Sequence, residues 1–358
     1  MRKRVLLFLE SGCGGSELMT VKIGKYLDTS IFEPIFIIVG HNQDRPIVKF
    51  VPKEYHTDYI FSDNYHDWMI SQFAAILKKY KPNIIFCSAF SVSCRLIIVN
   101  LFTARAIAVI RCNTSLSNLK GKSKWYIIGK LTYRYADIVI AQSSAMKAEL
   151  ENLFHIKSKK LMTIQNPIDT KLIDSLVMRP SPYPVSNKRK IVSVSRVSPE
   201  KGIMTLIKAF KLVVEKEVNS ILYIVGDYSS NVDYYKHIVE YIEKEKLMDS
   251  IMFMGVKENP FIWVKYADCF VLSSPIEGLP NALIEASYIG TPVVSTDCAP
   301  IIHQIIQSGI NGYIVPVDDP DSMAESIIKA LPMGPCKMFY TPGSFEDYNN
   351  MFVDLDRN

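Results

Sequence analysis

The chain has no apolar run long enough to cross a membrane. Its longest uncharged stretch, residues 298–317, is broken by two prolines, two glycines, an asparagine and a histidine. The apolar region 84–110 is interrupted by Arg95 and Arg105. Met1-Arg-Lys-Arg4 is basic, but the apolar residues 5–9 that follow are too few for a secretory leader and stop at Glu10, so none is expected. Cysteine organisation is also lacking. The seven cysteines (13, 87, 94, 112, 269, 298 and 336) are odd in number, scattered and without a Cys-x-x-Cys pair. That argues against a disulfide framework and for reduced thiols in the cytoplasm. There is no low-complexity tract and no short-period repeat, and no lysine stands in a glycine-rich phosphate loop. The six histidines do not cluster with acids. Asp-x-Asp occurs only as Asp319-Pro-Asp321 and Asp354-Leu-Asp356, in a turn and in the tail. No metal and no cofactor is expected.

What the chain does have is strand–helix alternation, twice over. With 48% hydrophobic and 22% charged residues in 358, it can build two globular cores. Continuous β-branched runs at 4–9, 34–39, 83–87, 106–111, 137–141 and 161–165 read as strands buried on both faces. The second half repeats the pattern at 191–194, 221–225, 251–254, 269–273, 292–295 and 313–316, with an amphipathic helix over 202–217. Between the halves, Arg179-Pro-Ser-Pro-Tyr-Pro-Val-Ser-Asn-Lys-Arg-Lys190 reads as a linker, because its three prolines are incompatible with a helix. The expected fold class is α/β: two Rossmann-like, doubly wound parallel-sheet domains facing a cleft. The boundaries expected are 1–178 and 188–334, with a tail over 335–358 that packs back on the first domain. Charge is uneven. Residues 1–178 hold 24 Lys/Arg against 14 Asp/Glu, and 179–358 hold 17 against 22. The basic half favours an anionic partner.

Two segments of the second half carry chemistry. In Ser274-Pro-Ile-Glu277-Gly-Leu-Pro-Asn281-Ala-Leu-Ile-Glu285, a strand leads through a Gly/Pro loop into a helix that Asn281 is placed to cap. Glu277 then lies in the loop and Glu285 about one turn inside. Between them is a helix N-terminus, whose free amides and positive dipole end attract an anion. One acid can accept hydroxyls from a sugar and the other from a ribose diol, with a diphosphate between. In Ser193-Val-Ser-Arg196-Val-Ser-Pro-Glu-Lys201-Gly202, Ser198 reads as N-cap and Pro199 as the first helical residue. Arg196 and Lys201 are crowded at a helix start, a repulsion that a diphosphate would relieve. Near the N-terminus, Ser11-Gly-Cys-Gly14-Gly15-Ser16-Glu17 permits a close backbone approach, with Ser16 as a cap.

These segments resemble the signatures of the retaining family 4 glycosyltransferases, the group 1 glycosyl transferases, which have the GT-B fold. The resemblance implies that Glu277 contacts the donor sugar and Glu285 the ribose. It further implies that Arg196 and Lys201 hold the diphosphate and that Gly278, Leu279, Pro280, Asn281 and Ala282 lie near sugar and phosphates. Gly14 and Gly15 correspond to a Gly-Gly-x-Glu turn across the cleft, and Asn166-Pro-Ile-Asp169 to an edge segment with a structural role. Three departures stand out: Gly226-Asp-Tyr-Ser in place of Gly-Asp-Gly-Pro, no Gly-Pro-x-Glu in 298–306, and no acceptor-loop histidine. Arg111 or Asn113 is the candidate for that missing histidine's orienting role. The implied activity is metal-independent, retaining transfer of a hexose or N-acetylhexosamine from a nucleotide diphosphate sugar, a UDP-sugar for preference. The implied acceptor is a glycan or lipid-linked saccharide in surface polysaccharide biosynthesis; no nucleic acid is implied. The catalytic set is Glu277, Arg196 and Lys201. The basic, aromatic stretch that begins Lys120-Gly-Lys-Ser-Lys-Trp-Tyr126 and ends at Tyr135 has two readings. It is either a peripheral anchor on an anionic membrane or a core helix with a charged outer face. The alternatives for the whole chain are a non-catalytic nucleotide-sugar-binding protein and a sugar-nucleotide epimerase of similar fold.

Overall fold

The computed structural model describes residues 2–12, 15–40, 46–64, 69–113, 116–119 and 124–357. They form two units, Met1–Pro167 with Gly343–Asn358, and Ile168–Pro342.

The first unit is built on seven parallel strands: β1 (Lys3–Glu10), β2 (Phe32–Gly40), β3 (His56–Phe61), β4 (Ile84–Cys87), β5 (Ile107–Arg111), β6 (Ile138–Ala141) and β7 (Leu161–Thr163). Their order is β3-β2-β1-β4-β5-β6-β7. Side chains alternate across a strand, so β1 divides its residues between two cores. Val5, Leu7 and Leu9 join the helix Gly15–Tyr26 and the tail helix Phe345–Arg357, while Leu6 and Phe8 join the helices Ile70–Tyr80 and Phe90–Phe102. Burial on both faces is why these strands read as unbroken apolar runs. Strand β3 is not among the runs expected from the sequence. Among the described residues it is an edge strand paired only with β2, its sequence His-Thr-Asp-Tyr-Ile-Phe is largely polar, and of these six only Ile60 is buried.

The second unit has six parallel strands: β8 (Arg189–Val194), β9 (Ser220–Val225), β10 (Ile251–Gly255), β11 (Cys269–Leu272), β12 (Val293–Thr296) and β13 (Gly312–Val315). Their order is β10-β9-β8-β11-β12-β13. The chain enters this unit at Ile168, ahead of the boundary expected from the prolines. The helix Thr170–Val177 places Ile173 in the same core as Phe261 and Trp263. Segment 179–190 is therefore no linker between units. Tyr183 is buried in it between Tyr223 and Trp263, at ring-centroid distances of 4.6 and 5.0 Å, and its hydroxyl donates to the Trp263 carbonyl at 2.6 Å. The prolines fix an extended path, and the aromatic ring docks it. Chain return is likewise later than residue 335: Tyr340 belongs to the second unit's core, and Phe345, Tyr348 and Phe352 to the first's.

Candidate functional site

In an open parallel sheet, ligands bind at the carboxyl ends of the strands where the order reverses. In the second unit that reversal falls between the adjacent strands β8 and β11. The loops leaving them, residues 195–202 and 273–280, are the basic and acidic segments singled out above.

After β8 the chain turns through a 3-10 turn, Pro199–Lys201, and only then enters the helix Ile203–Lys216. The expected single helix start capped by Ser198 is not formed; Ser198 precedes the 3-10 turn and makes no side-chain cap. The break lies at Gly202, whose φ of 63° is left-handed. Its α-carbon lies so close to β11 that an added Cβ would stand 2.9 Å from the Ser273 carbonyl carbon. The Ser273 hydroxyl donates to the Lys201 carbonyl at 2.8 Å. With the turn seated on the strand end, Lys201 Nζ reaches Glu277 Oε1 at 2.7 Å. The two side chains are 24% and 13% exposed.

This pairing corrects one expectation. Arg196 and Lys201 are not two cations awaiting an anion, because each meets a carboxylate, Glu200 at 3.5 Å and Glu277 respectively. The Arg196–Glu200 pair is more than half exposed on both sides and contributes little, so Arg196 is readily redirected. The Lys201–Glu277 pair is the enclosed one, and neither segment signals it by itself.

The acidic loop is fixed from both sides. The Glu277 amide donates to the Cys298 carbonyl at 3.2 Å, and the Thr296 hydroxyl donates to the Ser274 carbonyl. Burial, with the nearby Glu277 charge adding, pushes the Cys298 thiol up to about 11. The helix Asn281–Ile289 starts one residue earlier than a cap at Asn281 requires. Pro280 takes the capping position, having no side-chain acceptor to offer, and the Asn281 amide donates to Leu279 at 3.1 Å. Leu283 and Ile284 donate to the Pro280 carbonyl at 3.0 and 3.1 Å. Among the described residues the backbone amides of Gly278, Leu279 and Ala282 find no backbone acceptor, leaving donors at the N-terminal end of the helix. Glu285 is half-buried one turn in. One ammonium, two carboxylates and a helix N-terminus thus share one end of one sheet. That set can bind a polyanion and accept hydroxyl hydrogen bonds beside it. A residue missed in the sequence also takes part: Ser274, buried, donates its hydroxyl to Glu277 Oε1 at 2.7 Å.

In the first unit, Gly14 lies outside the described residues. Gly15 is exposed and opens the helix Gly15–Tyr26, so Ser16 is inside the first turn and not its cap. The Ser16 hydroxyl accepts from Asn113 Nδ2 at 2.6 Å, tying the loop after β5 to the glycine turn. Arg111 does not fit the orienting role considered for it. It is 1% exposed, donates to the Tyr348 hydroxyl at 3.0 Å and donates to Asn166 Oδ1. It joins β5 to the tail helix and to the Asn-Pro segment within the core. Asp319 is also accounted for. It caps the helix Pro320–Ala330 by accepting from the Ser322 amide at 3.0 Å.

Of the basic stretch, residues 120–123 lie outside the described residues. The helix Lys124–Thr132 sets the Trp125 ring against the Arg95 guanidinium at 5.6 Å, and leaves Ile127 and Leu131 65% and 53% exposed. With Tyr135, also exposed, they recur every four residues between Lys124, Lys130 and Arg134. The outer face is apolar and basic together, not merely charged. Among the described residues no helix is long and apolar enough to cross a membrane.

Two parallel α/β units with this loop arrangement define the GT-B glycosyltransferase class. Residues 13–172 match the model of Glycosyltransferase Family 4, and residues 178–338 that of Glycosyl transferases group 1. The chain belongs to this family. An uncharacterized glycosyltransferase of Methanocaldococcus jannaschii is 31% identical over 62% of this chain and 57% of its own length. The N-acetyl-alpha-D-glucosaminyl L-malate synthase of Bacillus anthracis is 25% identical over 66% of this chain and 59% of its own. The match spans little more than half the length of these curated relatives. Among solved structures, Anabaena HepE in complex with UDP and glucose is similar in fold, with a TM-score of 0.79 at 18% identity over the whole of both chains. Sucrose-phosphate synthase from Thermosynechococcus elongatus has a TM-score of 0.77 at 17% identity, over 99% of this chain and 98% of its own.

Proposed function

We propose that this protein is a retaining glycosyltransferase that moves a hexose or N-acetylhexosamine from a nucleotide diphosphate sugar to a glycan or lipid-linked saccharide in surface polysaccharide biosynthesis. The observation that carries the reading is the 2.7 Å approach of Lys201 to Glu277 at the switch point of the second unit's sheet, beside a helix N-terminus and Glu285. In the reaction, negative charge collects on the leaving diphosphate as the glycosidic bond breaks. Lys201, Arg196 and the amides of Gly278, Leu279 and Ala282 supply the compensating positive charge, which makes the transfer metal-independent. Lys201 has three donors, so it can keep Glu277 and still reach a phosphate oxygen. Glu277 positions the sugar by accepting its hydroxyls, and Glu285 accepts the ribose diol. Retention follows when the acceptor attacks the face the diphosphate leaves, a donor phosphate oxygen taking the acceptor proton; Glu277 is then a positioning group and not a nucleophile.

UDP is the preferred donor nucleotide, because HepE, similar in fold, was crystallised with UDP and glucose. Relatives named for alpha-N-acetylgalactosaminyl transfer to a diphospho-undecaprenol saccharide and for capsular polysaccharide biosynthesis support the acceptor class. The alpha linkage in the first of these names is what retention from an α-linked donor leaves. A transfer and hydrolysis screen across UDP-, GDP- and ADP-sugars, with thermal shift in parallel, tests the reading. Release or transfer of sugar from one donor is expected. Stabilisation by a nucleotide without sugar release from any donor would convert the protein into a binding module.

The stripe of Ile127, Leu131 and Tyr135, flanked by Lys124, Lys130 and Arg134, fits peripheral attachment to an anionic cytoplasmic membrane face. Flotation with vesicles containing phosphatidylglycerol should recover the protein at low salt and lose it at high salt. Ile127→Ser with Leu131→Ser should abolish recovery, and a wild-type protein left at the bottom of the gradient removes the anchor.

A further inference from the structure

We infer that Ser274 is a positioning residue that sets the Glu277 carboxylate for the donor sugar, an inference that rests on the transferase reading above. Glu277 Oε1 receives two donors, Lys201 Nζ and Ser274 Oγ, each at 2.7 Å. Both fall on the same oxygen, so Oε2 is the one left to accept a sugar hydroxyl. The two donors differ in what holds them. Lys201 is a flexible side chain whose ammonium is also wanted by the diphosphate. Ser274 is fully buried, its carbonyl accepts the Thr296 hydroxyl, and the loop is pinned again where the Glu277 amide meets the Cys298 carbonyl. Its hydroxyl therefore starts from a fixed point three residues before the acid it serves. When Lys201 shifts its bonds toward phosphate, Ser274 is the donor that keeps the carboxylate in place. A hydrogen bond to an ionised acid is the strong kind, and a rotation of Glu277 would move Oε2 off the sugar.

The test is a double-mutant cycle on the full-length protein, with whichever UDP-, GDP- or ADP-sugar the wild type turns over. Ser274→Ala is expected to lower kcat/KM for the donor by about ten- to a hundred-fold, while the dissociation constant for the bare nucleoside diphosphate stays within about twofold, as it does when only sugar positioning is lost. Ser274→Cys, which fills the same space with a poor donor, is expected to lose activity in the same way. In a Glu277→Ala background Ser274→Ala should have no further effect, because its only route to the sugar is gone. An undiminished rate in Ser274→Cys overturns the inference, as does an equal loss with and without Glu277. A wild type that turns over no donor overturns the transferase reading itself, a different result from either.

Discussion

Replacing Gly202 by alanine tests the contact on which the geometry of the site depends. The residue is at φ 63°, where an L side chain costs about 1–2 kcal/mol. The new Cβ would be driven into the Ser273 carbonyl, 2.9 Å from its carbon and nearer still to its oxygen. That carbonyl is backbone immediately after β11, and Gly202 is itself fixed at the end of a 3-10 turn, so neither can rotate away. Relief requires the turn to lift off the strand, at an overpacking cost of about 1–3 kcal/mol. The sum is about 2–5 kcal/mol, or a fall in Tm of roughly 5–15 °C for the unit concerned. Lifting the turn also carries Lys201 with it and breaks the Ser273–Lys201 hydrogen bond, so Lys201 Nζ leaves Glu277 by an ångström or so. A misplacement of about 1 Å can lower turnover by about a hundredfold. Differential scanning calorimetry and a donor-turnover assay on Gly202→Ala measure the two effects. An alanine variant with wild-type Tm and wild-type turnover would refute the close approach, and with it the reason that the basic and acidic loops meet.

Lys201→Ala and Glu277→Ala should each reduce transfer by orders of magnitude while shifting Tm by only a few degrees, and the double variant should lose less than the product of the two; near-wild-type rates in either would remove its role. Tyr348→Phe takes the hydroxyl from Arg111 Nε in a buried setting, so a loss of about 1–3 kcal/mol is expected in denaturant unfolding, with nucleotide affinity unchanged; weakened nucleotide binding at constant stability would return Arg111 to the active site. Burial raises the Cys87 thiol to about 12 and the Cys94 thiol to about 11. The thiolate fraction at pH 8 is then about one in a thousand or less, so neither should react with a thiol reagent in the folded protein, and reaction should speed as pH rises toward those values or on unfolding. Fast labelling of either at pH 8 would contradict the packing around β4.

The fold was legible where burial was two-sided. Strands β1, β2, β4, β9, β11 and β12 announce themselves because a parallel strand covered by helices on both faces has no polar alternation to dilute the signal, and the edge strands β10 and β13 were found because their own residues are apolar. Strand β3 escaped for the opposite reason, since one neighbour and a solvated edge admit His56, Thr57 and Asp58. The proline-rich segment misled because composition reports local stiffness and not what the stiff segment packs on. Three prolines do forbid a helix at 179–185, but only Tyr183 and its aromatic partners decide that the segment belongs to the second unit. Arg111 misled in a related way. A cation at the end of a strand reads as functional, and the phenol that buries it arrives from Tyr348 at the other end of the chain.

The site was legible in its residue types and not in its internal pairing. Glu277, Glu285, Arg196 and Lys201 could be singled out as candidates because helix starts, prolines and glycines punctuate them locally. That Lys201 and Glu277 touch depends on β8 and β11 being neighbours, which is a property of the strand order and leaves no trace in either segment. The same fact explains why the repulsion argument for a bound diphosphate was incomplete. The ammonium already has a carboxylate, so under the proposed function a diphosphate has to share it, not merely fill a void. Sharing makes the loop serine matter, because the acid needs a partner that stays when the lysine turns. Chemistry at a switch point is therefore encoded at two levels, the groups in the loops and the contacts in the sheet that brings the loops together.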